Sequence, residues 1–437
     1  MKNTTALILL FIANSISGLA QGISMLAIPW YFARNGEMSK FGLIYVLTNI
    51  IALFWVPYSG TFIDRFNRKH IFLVICLVCG SLILSTAALG FWQEGLPWYL
   101  VAVVFMLTFF NYNVHYPNLY AFVQEITEAK YYGRITSYIE IQGQLTAMLA
   151  GAGAAFLLEG TSDGLIELFG GQWQLPFTLE AWTIYEIFLL DAGTYFAAFV
   201  IIYLIQYAPL TDRKLEKGNV WEQLQVGYRY LKQQPSVFLF GVASYSIFVT
   251  VLIEGFYLGA LYVKEHLEAG GNVFATSEVF YAIGAVFSGL AIRRIFYRLS
   301  LPMSVIIMTI VTAILYAVLT FSASSTIFYL MLFILGITNA GTRIQRTTYL
   351  FANIPNQVYG RAASIFFLTN ISFRIFFLSL FALPFFQTGH QVAYTFGILS
   401  LFLLISAVVL IRYYPAFRKT KATNEEIQLA SPTNVSN

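Results

Sequence analysis

The chain has 437 residues, and only 11% of them are charged (25 Lys and Arg, 21 Asp and Glu), against about a quarter in soluble proteins. With 58% apolar residues, a mean hydropathy of +0.70 and a net charge of +4, this balance excludes a soluble globular enzyme, a disordered chain and a nucleic-acid binder with a basic face. The apolar residues gather in stretches of about 20 or more, enough for a helix to cross a ~30 Å hydrocarbon core, so the chain reads as a polytopic membrane protein.

Twelve spans are predicted in chain order, at 5–33, 40–62, 70–92, 98–123, 133–158, 184–207, 236–262, 276–296, 302–323, 326–349, 360–386 and 391–414. Lipid supplies no water to backbone polar groups, so these must be helices or a closed barrel. Continuous runs of this length exclude the ~10-residue alternating strands of a barrel. The first run lacks a cationic leader and a cleavage site and continues to about Phe32, so it is read as a span. Cys76 and Cys79, inside the third, are read as soft packing residues and not as a redox or zinc pair. Residues 159–183, with Trp173, Phe177 and Trp182, have the aromatic composition of a membrane interface. Residues 208–235 form the longest loop. It holds Asp212-Arg213-Lys214 and then Val220-Trp221-Glu222-Gln223-Leu224, the start of an amphipathic helix expected to lie along the membrane face.

Placing the N-terminus in the cytoplasm puts nineteen of the 25 Lys and Arg on that side, three outside (Arg34, Lys40 and Lys264) and three within spans (Arg343, Arg346 and Arg374). Both termini are therefore expected in the cytoplasm. The domain organisation read from this layout is an N-terminal six-helix bundle over 1–207, a cytoplasmic linker with an amphipathic helix over 208–235, a C-terminal six-helix bundle over 236–414, and a disordered cytoplasmic tail over 415–437.

The halves share traces of one ancestral unit. Tyr132-Gly133-Arg134 followed by Ser137 recurs as Tyr359-Gly360-Arg361 followed by Ser364, an offset of 227. Tyr120 and Phe122 match Tyr349 and Phe351, Gly60 matches Gly289, and Leu10-Phe11 matches Leu239-Phe240, all at 229. A six-span unit duplicated in parallel orientation is the plan of carriers whose halves rock about a midplane site.

Between spans 2 and 3, Gly60-Thr61-Phe62-Ile63-Asp64-Arg65-Phe66-Asn67-Arg68-Lys69 resembles the G-x-x-x-D-R-x-G-R-K signature of the major facilitator superfamily. Shorter pieces, Gly227-Tyr228-Arg229-Tyr230-Leu231 before Gln234-Pro235 and Leu190-Asp191-Ala192, resemble its bacterial macrolide-efflux and enterobactin-exporter branch. The resemblance implies an all-α membrane protein of twelve transmembrane helices in two pseudo-symmetric six-helix bundles, in a bacterial inner (plasma) membrane. In that plan spans 1, 4, 7 and 10 line the cavity, 2, 5, 8 and 11 flank it, and the others support. It also implies that Asp64 meets the start of span 11 near Gly360 and helps latch the cytoplasmic side. From the residues alone, Gly60 permits close helix approach. Asn67, where the family has Gly, is expected at positive φ. Arg65, Arg68 and Lys69 are expected at anionic headgroups.

Ionisable residues at membrane depth default to functional hypotheses. Six are read there: Glu140, Asp191, Glu254, Arg343, Arg346 and Arg374. Glu254, on a lining span, and Glu140, on a flanking one, are candidate proton carriers, because a carboxyl in low dielectric can hold a proton near neutral pH. Asp191, on a supporting span, is read as structural. Arginine does not deprotonate, so Arg343, Arg346 and Arg374 need acids, carbonyls or an anionic substrate group. Ion pairs with Glu140 or Glu254 would serve equally well. Asn14, Ser17 and Gln21 share one face of span 1, Asn111 and His115 lie one turn apart in span 4, and Asn339 and Asn370 precede Arg343 and Arg374 by one turn. They serve either as pore lining or as interhelical glue.

No phosphate-cradling loop and no H-E-x-x-H or G-x-S-x-G motif occurs, and the four histidines at 70, 115, 266 and 390 are scattered, so no cofactor, metal centre or enzyme activity is expected. The leading expectation is a monomeric, proton-coupled exporter of amphipathic small molecules (a drug, siderophore or metabolite) working by alternating access, with the lipid bilayer and no nucleic acid as partner. Uptake, or lysophospholipid flipping with a lateral opening between bundles, is the alternative within transport. A non-transporting scaffold or sensor is the alternative outside it.

Overall fold

The computed structural model describes residues 3–128, 131–161, 165–168, 171–174, 178–206, 220–296 and 298–418. Twelve of its helical segments are long and apolar enough to span a membrane. The first half contains α1 (Thr4–Arg34), α2 (Met38–Arg65), α3 (Arg68–Gln93), α4 (Trp98–Ile126), α5 (Tyr132–Glu159) and α6 (Ile184–Tyr203). The amphipathic α7 (Val220–Gln233) follows. The seventh span is assembled from α8 (Pro235–Ser244), α9 (Ser246–Ile253), a π turn (Glu254–Leu258) and α10 (Gly259–Glu265). The remaining spans are α11 (Gly271–Ile295), α12 (Leu301–Phe321), α13 (Ser325–Asn353), α14 (Asn356–Phe381) and α15 (Ala393–Arg412). The face holding the start of α1 and the α2–α3 turn is called the near face here, and the opposite one the far face.

Local chemistry places several ends. Asn3, Ser300 and Ser324 accept from the first-turn amides of α1, α12 and α13, and Thr183 forms a reciprocal capping box with Glu186 at the start of α6. Gly284 and Gly336 let α11 and α13 cross backbone to backbone. A Cβ on either would lie about 2 Å from a carbonyl oxygen of the other helix (1.9 Å from Phe333 O, 2.0 Å from Tyr281 O).

Several boundaries differ from the sequence reading. The eighth span begins at Gly271, not 276, because Thr276 and Ser277 are buried inside the protein, Ser277 Oγ donating to Phe274 O at 2.7 Å. The eleventh runs over Asn356–Phe381, not 360–386; a short 3₁₀ turn at Pro384–Phe386 follows it, where proline disfavours continuation. The segment between α5 and α6 forms an antiparallel hairpin of β1 (Leu165–Leu168) and β2 (Gly171–Gln174), a feature its aromatic composition did not signal. The expected tail starts later than 415. Phe417 is buried against Phe240, and its carbonyl accepts from Tyr349 OH at 3.3 Å.

The amphipathic helix packs on protein as well as facing outward. Gly227 abuts the Arg361 carbonyl of α14, Leu231 is buried, and Tyr230 OH donates to Asn353 O at 3.0 Å, while Trp221 and Tyr228 are exposed. Residues 207–219, with Asp212, Arg213 and Lys214, and 419–437 lie outside the described residues.

Candidate functional site

The α2–α3 turn departs from the sequence reading at three residues. Asn67 has φ −65°, in the extended region, and acts as the N-cap of α3, its Oδ1 accepting from Lys69 N (2.9 Å) and His70 N (3.3 Å). Asparagine therefore serves here as a capping side chain, not as a glycine surrogate. Arg68 turns inward, and Lys69, half-buried, is engaged by backbone carbonyls. Arg68 is buried with its Nε 3.6 Å from Glu125 at the end of α4, and Asn118 Nδ2 donates to its carbonyl at 3.0 Å. Lys69 Nζ donates to Tyr203 O (2.8 Å) and Ile205 O (2.7 Å), placing a cation on the orphan carbonyls of α6. The side chains of Asp64 and Arg65, with Gly60, lie outside the described residues, and so does that of Glu140.

The polar residues of the first half form a neutral web. His115 Nε2 meets Asn14 Oδ1 at 2.7 Å, Asn14 Nδ2 donates to Gln142 Oε1 at 3.2 Å, and Gln142 Nε2 donates to Phe11 O at 2.6 Å and to Ser15 Oγ. This ties α1, α4 and α5 together. Asn111 Nδ2 donates to Tyr195 OH of α6 at 2.9 Å, so it points into the first half. Asp191 is fully buried on α6 facing Ser24, near Tyr195 and the paired thiols of Cys76 and Cys79, which are free and buried. Ser17 lines the same interior, while Gln21 is half-buried.

The second half is charged. Arg346, 5% exposed, stacks its guanidinium 3.7 Å from the Tyr245 ring centroid and donates from Nη1 to Ser244 O at 3.2 Å. It thus bonds α13 to the α8–α9 joint. Arg343, one turn away, is exposed, and Asn339 Nδ2 donates to Tyr281 OH of α11 at 2.6 Å. Glu254, 1% exposed, stands at the start of the π turn and faces Glu278 of α11 and Tyr316 of α12. Glu278 is a seventh intramembrane ionisable residue. Its signal was present in the sequence, two residues inside the span predicted at 276–296, but it was not counted.

Helices α2 and α14, together with α5 and α11, join the halves. Several side-chain contacts across this seam lie in its far-face half. Tyr45 OH donates to Leu252 O at 3.2 Å and its ring packs on Phe256. Phe41 lies against Tyr257, and Trp30 stacks on Phe274. Glu159 Oε1 accepts both from Trp30 Nε1 (3.0 Å) and from Gly271 N (2.9 Å). A Cβ on Gly42 would be 3.0 Å from that of Ala382, so the backbones of α2 and α14 nearly touch there.

Arg374 of α14 reaches across this seam to Tyr45 and to the Phe109 ring, whose centroid is 6.0 Å away. It is 2% exposed, its Nε has no hydrogen-bond partner, and no carboxylate pairs with it among the described residues. It lies two turns from the end of α14, in the far-face half of that helix. One turn toward the near face are Asn370 of α14 and Asn49 of α2, both buried. Neither amide atom of Asn370 is partnered, nor is Asn49 Oδ1. Because the two helices run antiparallel, Tyr45 with Arg374 and Asn49 with Asn370 form two polar levels at the seam.

On the far face, two of the scattered histidines meet. His266 Nε2 lies 3.0 Å from Ser322 O and so carries a proton; its Nδ1 then accepts from His390 Nδ1 at 3.1 Å. Burial holds the His266 imidazole below its ordinary range, and the neighbouring His390 adds to this, while the bond to Ser322 opposes it. Among the described residues no group of three or more His, Cys, Asp or Glu gathers around a common point.

Two helical halves meeting along two helix pairs, with under-partnered charged groups beside and across that seam, define a polytopic membrane transporter. The description Major Facilitator Superfamily matches residues 10–377, so the chain belongs to that superfamily and is a transporter, not an enzyme. The fold is similar to a solved nucleoside transporter, NupG (TM-score 0.66, 12% identity, covering 94% of this chain and 99% of that one). It is also similar to a D-xylose-proton symporter (0.66, 12%, 92% and 97%) and to a bacterial homologue of the iron transporter ferroportin in an inward-facing state (0.68, 14%, 94% and 99%). No curated protein matches in sequence.

Proposed function

We propose that this protein is a proton-coupled exporter of amphipathic small molecules bearing an anionic group, working by alternating access and of the macrolide-efflux and enterobactin-exporter kind. The observation that carries the reading is Arg374, a buried cation at the seam with no carboxylate partner among the described residues, flanked by Asn370, whose amide is unpartnered, and by Asn49, whose Oδ1 is. A cation and amides left short of partners in low dielectric favour a ligand that brings acceptors. The aromatic rings around them, Tyr45, Phe105 and Phe109, suit an amphipathic body. Glu254 is the candidate proton carrier. The excess of Lys and Arg on the near face supports a cytoplasmic orientation for it. The far-face closure then corresponds to a state open to the cytoplasm. The greater likeness to the ferroportin homologue in its inward-facing state than in its outward-facing one (TM-scores 0.68 and 0.59) supports this.

A lipid-flipping reading expects an opening between the halves. The groove of about 570 Å³ on the surface, lined by Phe373, Phe376, Phe377 and Phe402, lies instead between α14 and α15 of one half.

The test uses a dansylated undecanoic acid and its primary amide, with the full-length protein. The acid should bind about tenfold more tightly than the amide, roughly 1.4 kcal/mol, and be driven out of proteoliposomes by an imposed pH gradient. In Arg374→Gln the two should bind alike. Equal binding by the wild type, or flux indifferent to the gradient, contradicts the reading.

A further inference from the structure

The π turn in the seventh span is built around two carboxyl groups. Its closing bond runs from the Gly259 amide to Glu254 O, five residues back. Such turns are costly interruptions of a helix and concentrate at functional sites. Two glycines clear the surface on either side. A Cβ on Gly255 would stand 3.6 Å from Glu278 Oε1, and one on Gly259 would stand 2.9 Å from Glu254 Oε1. The second of these is closer than real Cβ contacts allow, so a side chain at 259 would displace the Glu254 carboxyl.

The surroundings point to an occupant. Glu254 Oε1 and the Tyr316 hydroxyl are both buried, Glu254 Oε1 has no hydrogen-bond partner, the Thr250 side chain faces the Tyr316 hydroxyl, and Glu254 and Tyr316 lie within electrostatic range of each other. Glu278 and Tyr281 face them from α11, and Arg343 of α13 reaches the group through Tyr281. From α2 the rings of Tyr45 and Phe41 pack on this turn, against Phe256 and Tyr257; α1, which also touches it, has no acidic residue and carries its only cation, Arg34, at its far end. Two carboxylates facing each other, Glu254 buried and Glu278 half-buried, repel strongly. One proton between them removes the repulsion and lets one group donate to the other.

We propose that Glu254, Glu278 and the Tyr316 hydroxyl form one proton-binding site inside the C-terminal half, in which the two carboxyl groups share a single proton taken up and released as a unit. This deepens the proton-coupled reading above and rests on it. The site faces α11 and α12 and not the α2–α14 seam, so the proton and the substrate anion occupy separate places. Loading converts a carboxylate pair and one proton into a carboxylic acid donating to a carboxylate; release returns that proton to water. The seventh span, which carries Glu254 on one side and meets Tyr45 and Phe41 on the other, links the two events.

The experiment is an infrared titration of the carboxylic C=O bands of the full-length protein in sodium-free buffer, with the Glu254 band identified by its loss in Glu254→Gln. In Glu278→Gln the midpoint of that band should fall by about one pH unit or more, the mark of coupled groups. Tyr316→Phe removes only a hydroxyl and should also move the midpoint while the protein keeps its melting temperature; it carries the test if Glu278→Gln does not fold. An unchanged midpoint in both variants, or displacement of the proton by added sodium chloride, overturns the proposal. The bands require no substrate. Absent dansyl-acid flux with a coupled titration intact would therefore count against the exporter reading and leave this site standing.

Discussion

The interiors of the two halves solve the same problem in opposite ways. In the first half, Asn14, His115, Gln142 and Ser15 satisfy one another in a neutral network that joins three helices. In the second, Glu254, Glu278, Arg346 and Arg374 place ionisable groups inside the helical spans, and several of their polar atoms, with those of Asn370, stay without partners. A satisfied buried network rigidifies, whereas an under-satisfied one costs stability and is retained for what it binds. The division into a scaffold half and a working half rests on the Asn14–His115–Gln142 web and not on satisfaction throughout, because both carboxyl oxygens of the buried Asp191 and the Oδ1 of Asn111 in the first half are also without partners.

Breaking the contrast should show most in the working half. Glu254→Gln is expected to abolish pH-driven efflux of the dansylated acid while leaving the melting temperature within a few degrees of wild type; undiminished gradient-driven flux would remove Glu254 from the proton path. Asp64→Asn is expected to slow turnover severalfold without changing binding of the dansylated acid, and a wild-type rate would remove the latch that the α2–α3 signature implies.

In the scaffold half the expected pattern reverses. Asn14→Ala leaves His115 and Gln142 short of partners and should lower stability by about 1–3 kcal/mol, with the pH dependence of transport unmoved. A shifted pH profile would mean that the neutral web takes part in coupling. Smaller still, Lys69→Met removes a cation from the last carbonyls of α6 and should cost about 0.3–1 kcal/mol in a thermal melt.

The far-face histidines sharpen the comparison through pH. Because burial depresses the His266 imidazole below its ordinary value of 6.5, the opened form binds more protons. The contact is therefore fully present above that value and weakens as pH falls through and below it, when a proton on His266 Nδ1 would oppose the His390 donor. Hydrogen exchange in the loop around Gly389 should quicken on acidification in wild type and much less in His266→Gln. Equal acid sensitivity in both would remove this role.

Much of the architecture was readable from hydropathy alone, because lipid forces every long apolar run into a helix; α1, α4 and α12 start and stop within a few residues of expectation. The offset repeats and the α2–α3 signature named the superfamily for the same reason. What failed was local chemistry that depends on packing. Asn67 reads equally as a turn residue or a cap, and only the direction of α3 decides. Arg68 and Lys69 look like surface cations until α4 and α6 end beside them. The pairing of Glu254 with Glu278, and of His266 with His390, 124 residues apart, depends on which helices become neighbours. Sequence spacing contains no such information, and Arg374, placed correctly on its helix, gained its meaning only from Tyr45 across the seam.

The central claim, that the two halves part at the far face as the protein works, can be tested at Gly42 and Ala382, whose Cβ atoms would lie 3.0 Å apart, slightly inside the usual span of a disulfide, so that a cysteine pair closes there once the helices and the Tyr257 side chain shift by a few tenths of an ångström. In a background with Cys76 and Cys79 replaced by alanine, Gly42→Cys with Ala382→Cys should crosslink in the resting protein, stop gradient-driven efflux of the dansylated acid, and release it again on reduction. Full-rate efflux with the crosslink intact would contradict the account.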